Sequence, residues 1–168
     1  MKMNKQVGDF ITIYTDASVR PKSKCTQVAW RGKCSFGTIQ GFKVLPYDNR
    51  VARAEMNAIL CAVEDALAKH PTLIGLFINS DSLQCVQCFW TFLNKPIHKD
   101  LVDLYSRILK ITGKRWIRAK HVKAHTGGGD IRSYMNRSVD QLTRVMVSYP
   151  FTENRHGDVL WYEEGHYK

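Results

Sequence analysis

The stretch "FITIYTDASV", which begins at Phe10, alternates apolar and polar residues and runs straight into Asp16. Alternation of that kind marks a strand with one face in a core, because successive side chains point to opposite faces of a sheet. Two further segments of strand character follow, "TQVAWRGK" and "FGTIQGFKVL", joined by a short turn near Gly32–Ser35. The segment "NRVARAEMNAILCAVEDALAKH", about Asn49 to His70, predicts a helix stopped by Pro71. "LIGLFINSD" predicts a short apolar strand and "SLQCVQCFWTFL" the helix after it. Beyond a break at "NKP" come a helix from about His98 to Ile111, a fifth strand "RWIRAKHVKAH", a glycine-rich loop "TGGGDIRSY" and a helix from about Asn136 to Ser148. Three strands, a helix, a strand, helices, a strand and a helix spell an α/β fold, with a mixed five-stranded sheet flanked by helices. Residues 1–149 are expected to form one domain, and residues 150–168, which lack clear periodicity, a C-terminal extension.

A chain of 168 residues with 44% apolar content can bury a core of useful size. The opening "MKMNKQVGDF" has charge but no apolar run behind it, so no signal peptide is expected. The apolar run "LIGLFI" is far too short to cross a bilayer. The expectation is a cytoplasmic, monomeric protein whose five cysteines are reduced. Cys85 and Cys88 make a lone CxxC with no second pair at metal-ligand spacing, which reads as ordinary buried thiols.

Charge is the stronger constraint. Lys and Arg number 25 against 15 Asp and Glu, a net +10. From Leu104 to Gly129 there is no acid at all, while Arg107, Lys110, Lys114, Arg115, Arg118, Lys120 and Lys123 all fall inside. Such a stretch is the footprint of a polyanion partner, of which nucleic acid is the commonest, or else a solvated basic face.

Against that background several acids stand in places that need explaining. Glu55 lies in line with Ile59, Ala62 and Ala66, because steps of 4, 7 and 11 residues return to nearly the same helical angle. A carboxylate aimed at the sheet must be hydrogen-bonded, paired or bound to metal, unless it clears the sheet edge and reaches water. Asp16 and Asp81 each end an apolar strand, where open α/β sheets place their ligands if the two strands lie parallel and adjacent. Either could instead be a turn residue or a helix cap. Asp140 sits beside the Val139–Leu142–Met146 stripe of the last helix and says little alone. Carboxylates about 5 Å apart repel by roughly 3 kcal/mol per pair at an effective dielectric near 20, so a cluster of them stays ionised around bound cations. Oxygen-only ligands suit Mg²⁺ or Mn²⁺, and two such ions can cut a phosphodiester.

The chain resembles the type 1 ribonuclease H family, which includes the ribonuclease H domains of reverse transcriptases. The resemblance rests on "YTDAS", "RAEMNAI", "NSDS" and "VKAHTGGGDIRSYMNRSVDQL", in the family's order over about residues 8–148. It implies a metal-dependent endonuclease that hydrolyses the RNA strand of RNA–DNA hybrids, with Asp16, Glu55, Asp81 and Asp140 as ligands of two Mg²⁺ ions. It also implies His125, in the glycine-rich loop, as an aid to proton transfer or product release. Candidate nucleic-acid contacts are Ser18, Arg53, Gln84, Lys120, Lys123 and Asn136.

Several positions depart from the family pattern. Ala17 stands where a glycine lets backbone approach RNA, Val51 replaces an asparagine, and Leu83 replaces a glutamine, with Gln84 one residue on. "VRPKSKCT" replaces a glycine- and asparagine-bearing loop, where Arg20, Lys22 and Lys24 can supply backbone affinity instead. The alternatives are a nuclease of the same fold acting on structured or double-stranded DNA, and a non-catalytic nucleic-acid binding module.

Overall fold

In a computed structural model that describes residues 9–22, 24–91 and 96–122, β1 (Phe10–Arg20), β2 (Cys25–Cys34) and β3 (Gly37–Pro46) form an antiparallel meander. Helix α1 (Val51–Lys69) then carries the chain across to β4 (Gly75–Ser80), which pairs in parallel with β1. The short α2 (Leu83–Gln87) and then α3 (Val102–Thr112) lead to β5 (Trp116–His121), parallel to β4. The sheet order is β3-β2-β1-β4-β5, the mixed five-stranded α/β sheet that the sequence predicts. The glycine-rich loop, the helix expected over residues 136–148 and the C-terminal extension fall outside the described residues.

Alternation in β1 has the predicted consequence. Ile11 and Ile13 are buried and share a face with Trp30 and Val28 of β2 and with Leu76 and Ile78 of β4. The apolar side of α1, with Met56, Ile59, Ala62, Val63 and Ala66, covers that face. Gly75 starts β4 at a place where no side chain fits: a Cβ there would fall 1.9 Å from the Trp116 ring of the neighbouring strand. Gly113 closes α3 at φ 62° and ψ −126°, a positive-φ backbone that glycine adopts without the penalty a Cβ would bring.

Two helices are shorter than the hydrophobic pattern suggests. The helix expected over Ser82–Leu93 stops at Gln87, because Cys88, Phe89 and Trp90 switch to tighter i→i−3 bonds onto Cys85, Val86 and Gln87. The Trp90 indole then donates to the Ala119 carbonyl of β5 at 2.9 Å, which draws the chain off the helix axis. The next helix begins at Val102 rather than His98, since His98–Leu101 forms a turn closed by Leu101 N–H onto the His98 carbonyl.

Candidate metal centre

Strand register brings two of the acids together. Tyr14 of β1 pairs with Asn79 of β4, so Asp16 and Asp81 each stand two residues beyond the same rung. Adjacent strands lie about 4.8 Å apart, so their carboxyl ends deliver the two acids to one spot. Glu55 arrives from above, one turn into α1, whose start is tied to α2 by a Cys85 Sγ–H donating to the Ala52 carbonyl at 3.1 Å. Asp16, Glu55 and Asp81 each offer a carboxylate oxygen, and these oxygens all lie within 4.8 Å of one another. Glu55 is 5% exposed and Asp16 6%, while Asp81 is half-buried. The ordinary alternative for Glu55, escape past the sheet edge into water, is therefore excluded.

The capping alternative for Asp81 also falls away. The N-cap of α2 is Ser82, whose hydroxyl accepts from Cys85 N–H at 3.4 Å, and Ser82 N–H in turn donates to the Ser80 hydroxyl at 3.2 Å. Asp16 keeps one oxygen on the backbone of its own strand, accepting from Ala17 N–H at 2.9 Å. Three carboxylates so close repel by about 3 kcal/mol per pair at an effective dielectric near 20, and two of them are out of water. An all-oxygen donor set of this kind fits a hard divalent cation such as Mg²⁺ or Mn²⁺.

The other site expectations divide. Ser18 is partly exposed on β1 beyond Asp16, Gln84 is exposed on α2, and Lys120 is exposed on β5, all open to a ligand at this end of the sheet. Arg53 is committed elsewhere. Its guanidinium donates to both oxygens of Asp103 at 2.7 and 2.8 Å and to the Asp100 carbonyl, and it lies 3.3 Å from Asp48. That pairing holds the Asp103 carboxyl down at about 2 and ties α1 to the start of α3. Within the acid-free stretch, Arg115 likewise serves the fold, donating to the Leu73 and Pro71 carbonyls at 2.7 and 2.6 Å, whereas Arg107, Lys110, Lys114 and Arg118 are exposed. Lys123, His125, Asn136 and Asp140 lie outside the described residues.

The two thiols of the CxxC are free, Cys85 buried and Cys88 only half-buried, and burial pushes the Cys85 thiol up to about 12. Sequence reasoning passed over His121. It is the register partner of Ser80, and its Nε2 lies 3.0 Å from the Asp81 carbonyl oxygen. Only the β4–β5 pairing could have pointed to it.

Comparison with known proteins agrees with this architecture. The profile of the family described as RNase H matches residues 9–148. A search of curated protein sequences finds no match. Among solved structures, RNase H1 from the halophilic archaeon Halobacterium salinarum is similar with a TM-score of 0.64 at 17% identity, over 82% of this chain and 97% of that one. The N-terminal RNase H domain of a Mycobacterium tuberculosis protein, solved as a fusion with maltose-binding protein, gives 0.61 at 14% identity, over 82% and 96%. LC11-RNase H1, crystallised in complex with RNA/DNA hybrid, gives 0.61 at 17% identity, over 82% and 99%.

Proposed function

Since the chain belongs to the RNase H family, we propose that it hydrolyses the RNA strand of RNA–DNA hybrids, using two Mg²⁺ ions held by its carboxylates. The observation that carries this reading is the meeting of Asp16, Glu55 and Asp81 within 4.8 Å in a protein of net charge +10. A basic surface alone would serve binding; a buried acidic nest opposes phosphate and makes sense where cations are held. Asp16, Glu55 and Asp81 would hold the ions, with Asp140 as a further ligand. Divalent cations in such a site supply an activated water and a counter-charge for the leaving oxygen.

The remaining work falls to the chain's own groups. Lys120 and the exposed cations before it hold phosphates of the duplex, and Lys123 and Asn136 extend that grip. Ser18 and Gln84 flank the carboxylates, where the scissile phosphate and its sugars would lie. His125 takes or releases a proton as the product leaves.

One feature favours looser recognition of the sugar. Val51, 61% exposed, and Leu83, 43% exposed, present apolar side chains on the first turns of the two helices that border the carboxylates. Neither can hydrogen-bond a 2′-hydroxyl, a contact worth about 1 kcal/mol net. The second reading, a nuclease for double-stranded DNA, rests on those two residues. Cleavage of matched hybrid, double-stranded DNA, double-stranded RNA and DNA carrying one to four ribonucleotides, all with Mg²⁺, separates the two. We expect hybrid to be cut best and the four-ribonucleotide run well above all-DNA. Equal rates on the run and on all-DNA would reject the hybrid reading.

A further inference from the structure

We propose that His121 is a positioning residue for the carboxylate cluster, holding the backbone of Asp81 at the depth where its side chain meets Asp16 and Glu55. The inference rests on the metal-centre reading above and adds to it a residue from a different strand.

The β4–β5 ladder ends at Ser80↔His121, with Val122 N–H donating to the Ser80 carbonyl at 2.9 Å. Asp81 is the first residue past that rung, and α2 begins only at Leu83. The acid therefore sits on a bend between a strand and a helix, where neither ladder fixes it. His121 reaches across from β5 and places Nε2 3.0 Å from the Asp81 carbonyl oxygen. A carbonyl only accepts, so Nε2 carries the proton and donates. The ring is half-buried, which keeps that bond partly out of competition with water. Asp16, by contrast, lies within the paired part of β1, opposite Ala29 of β2, and Glu55 lies inside a helix. Of the three acids, Asp81 is the one that lies between a strand and a helix, and a side chain of the neighbouring strand reaches its backbone.

Supporting groups of this kind change metal affinity about 10- to 100-fold when removed, and sites tolerate errors of only about 0.5 Å. The test is Mn²⁺ binding by the intact protein without nucleic acid, measured calorimetrically for wild type, His121→Ala and His121→Gln. Gln keeps an N–H donor at similar reach. His121→Ala is expected to bind Mn²⁺ about 10-fold more weakly, and His121→Gln to recover most of that loss. Hybrid affinity in chelator is expected to be the same for all three. His121→Ala binding Mn²⁺ as wild type does, or His121→Gln binding as weakly as His121→Ala, would overturn the positioning role and leave the metal centre standing. A wild-type protein that binds no Mn²⁺ would overturn both.

Discussion

Helix α1 buries two carboxylates, Glu55 and Asp65, and the same helix solves the problem of each in a different way. They are ten residues apart, about 15 Å along the axis, and are 5% and 7% exposed. Asp65 faces a donor: the Trp30 indole gives it a 2.8 Å hydrogen bond from β2, and Lys69 stands at 4.0 Å one turn on. Glu55 faces Asp16 and Asp81. A buried acid beside a donor accounts for itself as structure. A buried acid beside two more acids is explained by what it can hold. Burial alone thus does not mark a functional residue; the sign of the company does.

The largest effect should come from breaking the acidic company. Asp81→Asn, nearly isosteric, is expected to lower hybrid cleavage by at least roughly 100-fold, the scale of several kcal/mol of transition-state stabilisation. Hybrid binding should hold or tighten, because one negative charge near phosphate is gone. More than a tenth of the wild-type rate at saturating Mg²⁺ would remove Asp81 from the site.

At the other end of α1 the effect should be on stability. Asp65→Leu takes away the oxygen facing the Trp30 indole and should cost about 1–3 kcal/mol, or a few degrees of Tm for each kcal/mol in a protein of this size. Asp65→Asn keeps the acceptor and should cost little. Its pH profile sharpens the point. Burial pushes the Asp65 carboxyl up, and the Trp30 hydrogen bond and Lys69 only partly oppose it. The folded chain then holds that proton more tightly than the unfolded chain. Stability should fall as pH rises from the ordinary carboxylate value through the raised one. Asp65→Asn should flatten that segment of the curve; an unchanged slope would show that the proton lies elsewhere.

Smaller effects separate structural from binding cations. Arg53→Ala should lower stability by about 1 kcal/mol through loss of its bidentate pairing with Asp103, while the salt dependence of hybrid binding stays as it was. Lys120→Ala should do the reverse, reducing the salt slope by about one unit without a change in Tm. Exchange of those two outcomes would mean that Arg53, and not Lys120, faces the nucleic acid.

Much of this arrangement is legible in the sequence, because the signals are periodic. Alternation in "FITIYTDASV" gives β1, helical spacing from Glu55 through Ile59, Ala62 and Ala66 gives the buried face of α1, and Asp16 and Asp81, each following an apolar stretch, stand at the same level of the parallel β1–β4 pair. What escapes is set by tertiary partners. Arg53 reads as a free cation until Asp103, far along the chain, proves to be its neighbour. Asp65 lies off the Glu55 stripe, and only the pairing of α1 with β2 brings Trp30 to it. The helix after Asp81 looks long from its apolar residues, yet Trp90 has a better use for its indole on β5. His121 becomes meaningful only once β4 and β5 are known to be adjacent.

The most direct measurement sets the two buried acids side by side: the rate of Mg²⁺-dependent cleavage of one labelled RNA–DNA hybrid by wild type, Glu55→Gln and Asp65→Asn. Each variant exchanges one buried carboxylate of α1 for its amide. The wild type should cut the RNA strand, Asp65→Asn should stay within about 3-fold of it, and Glu55→Gln should fall by at least roughly 100-fold while folding normally. Glu55→Gln cutting at more than a tenth of the wild-type rate, or both variants losing activity alike, would contradict the distinction drawn between them.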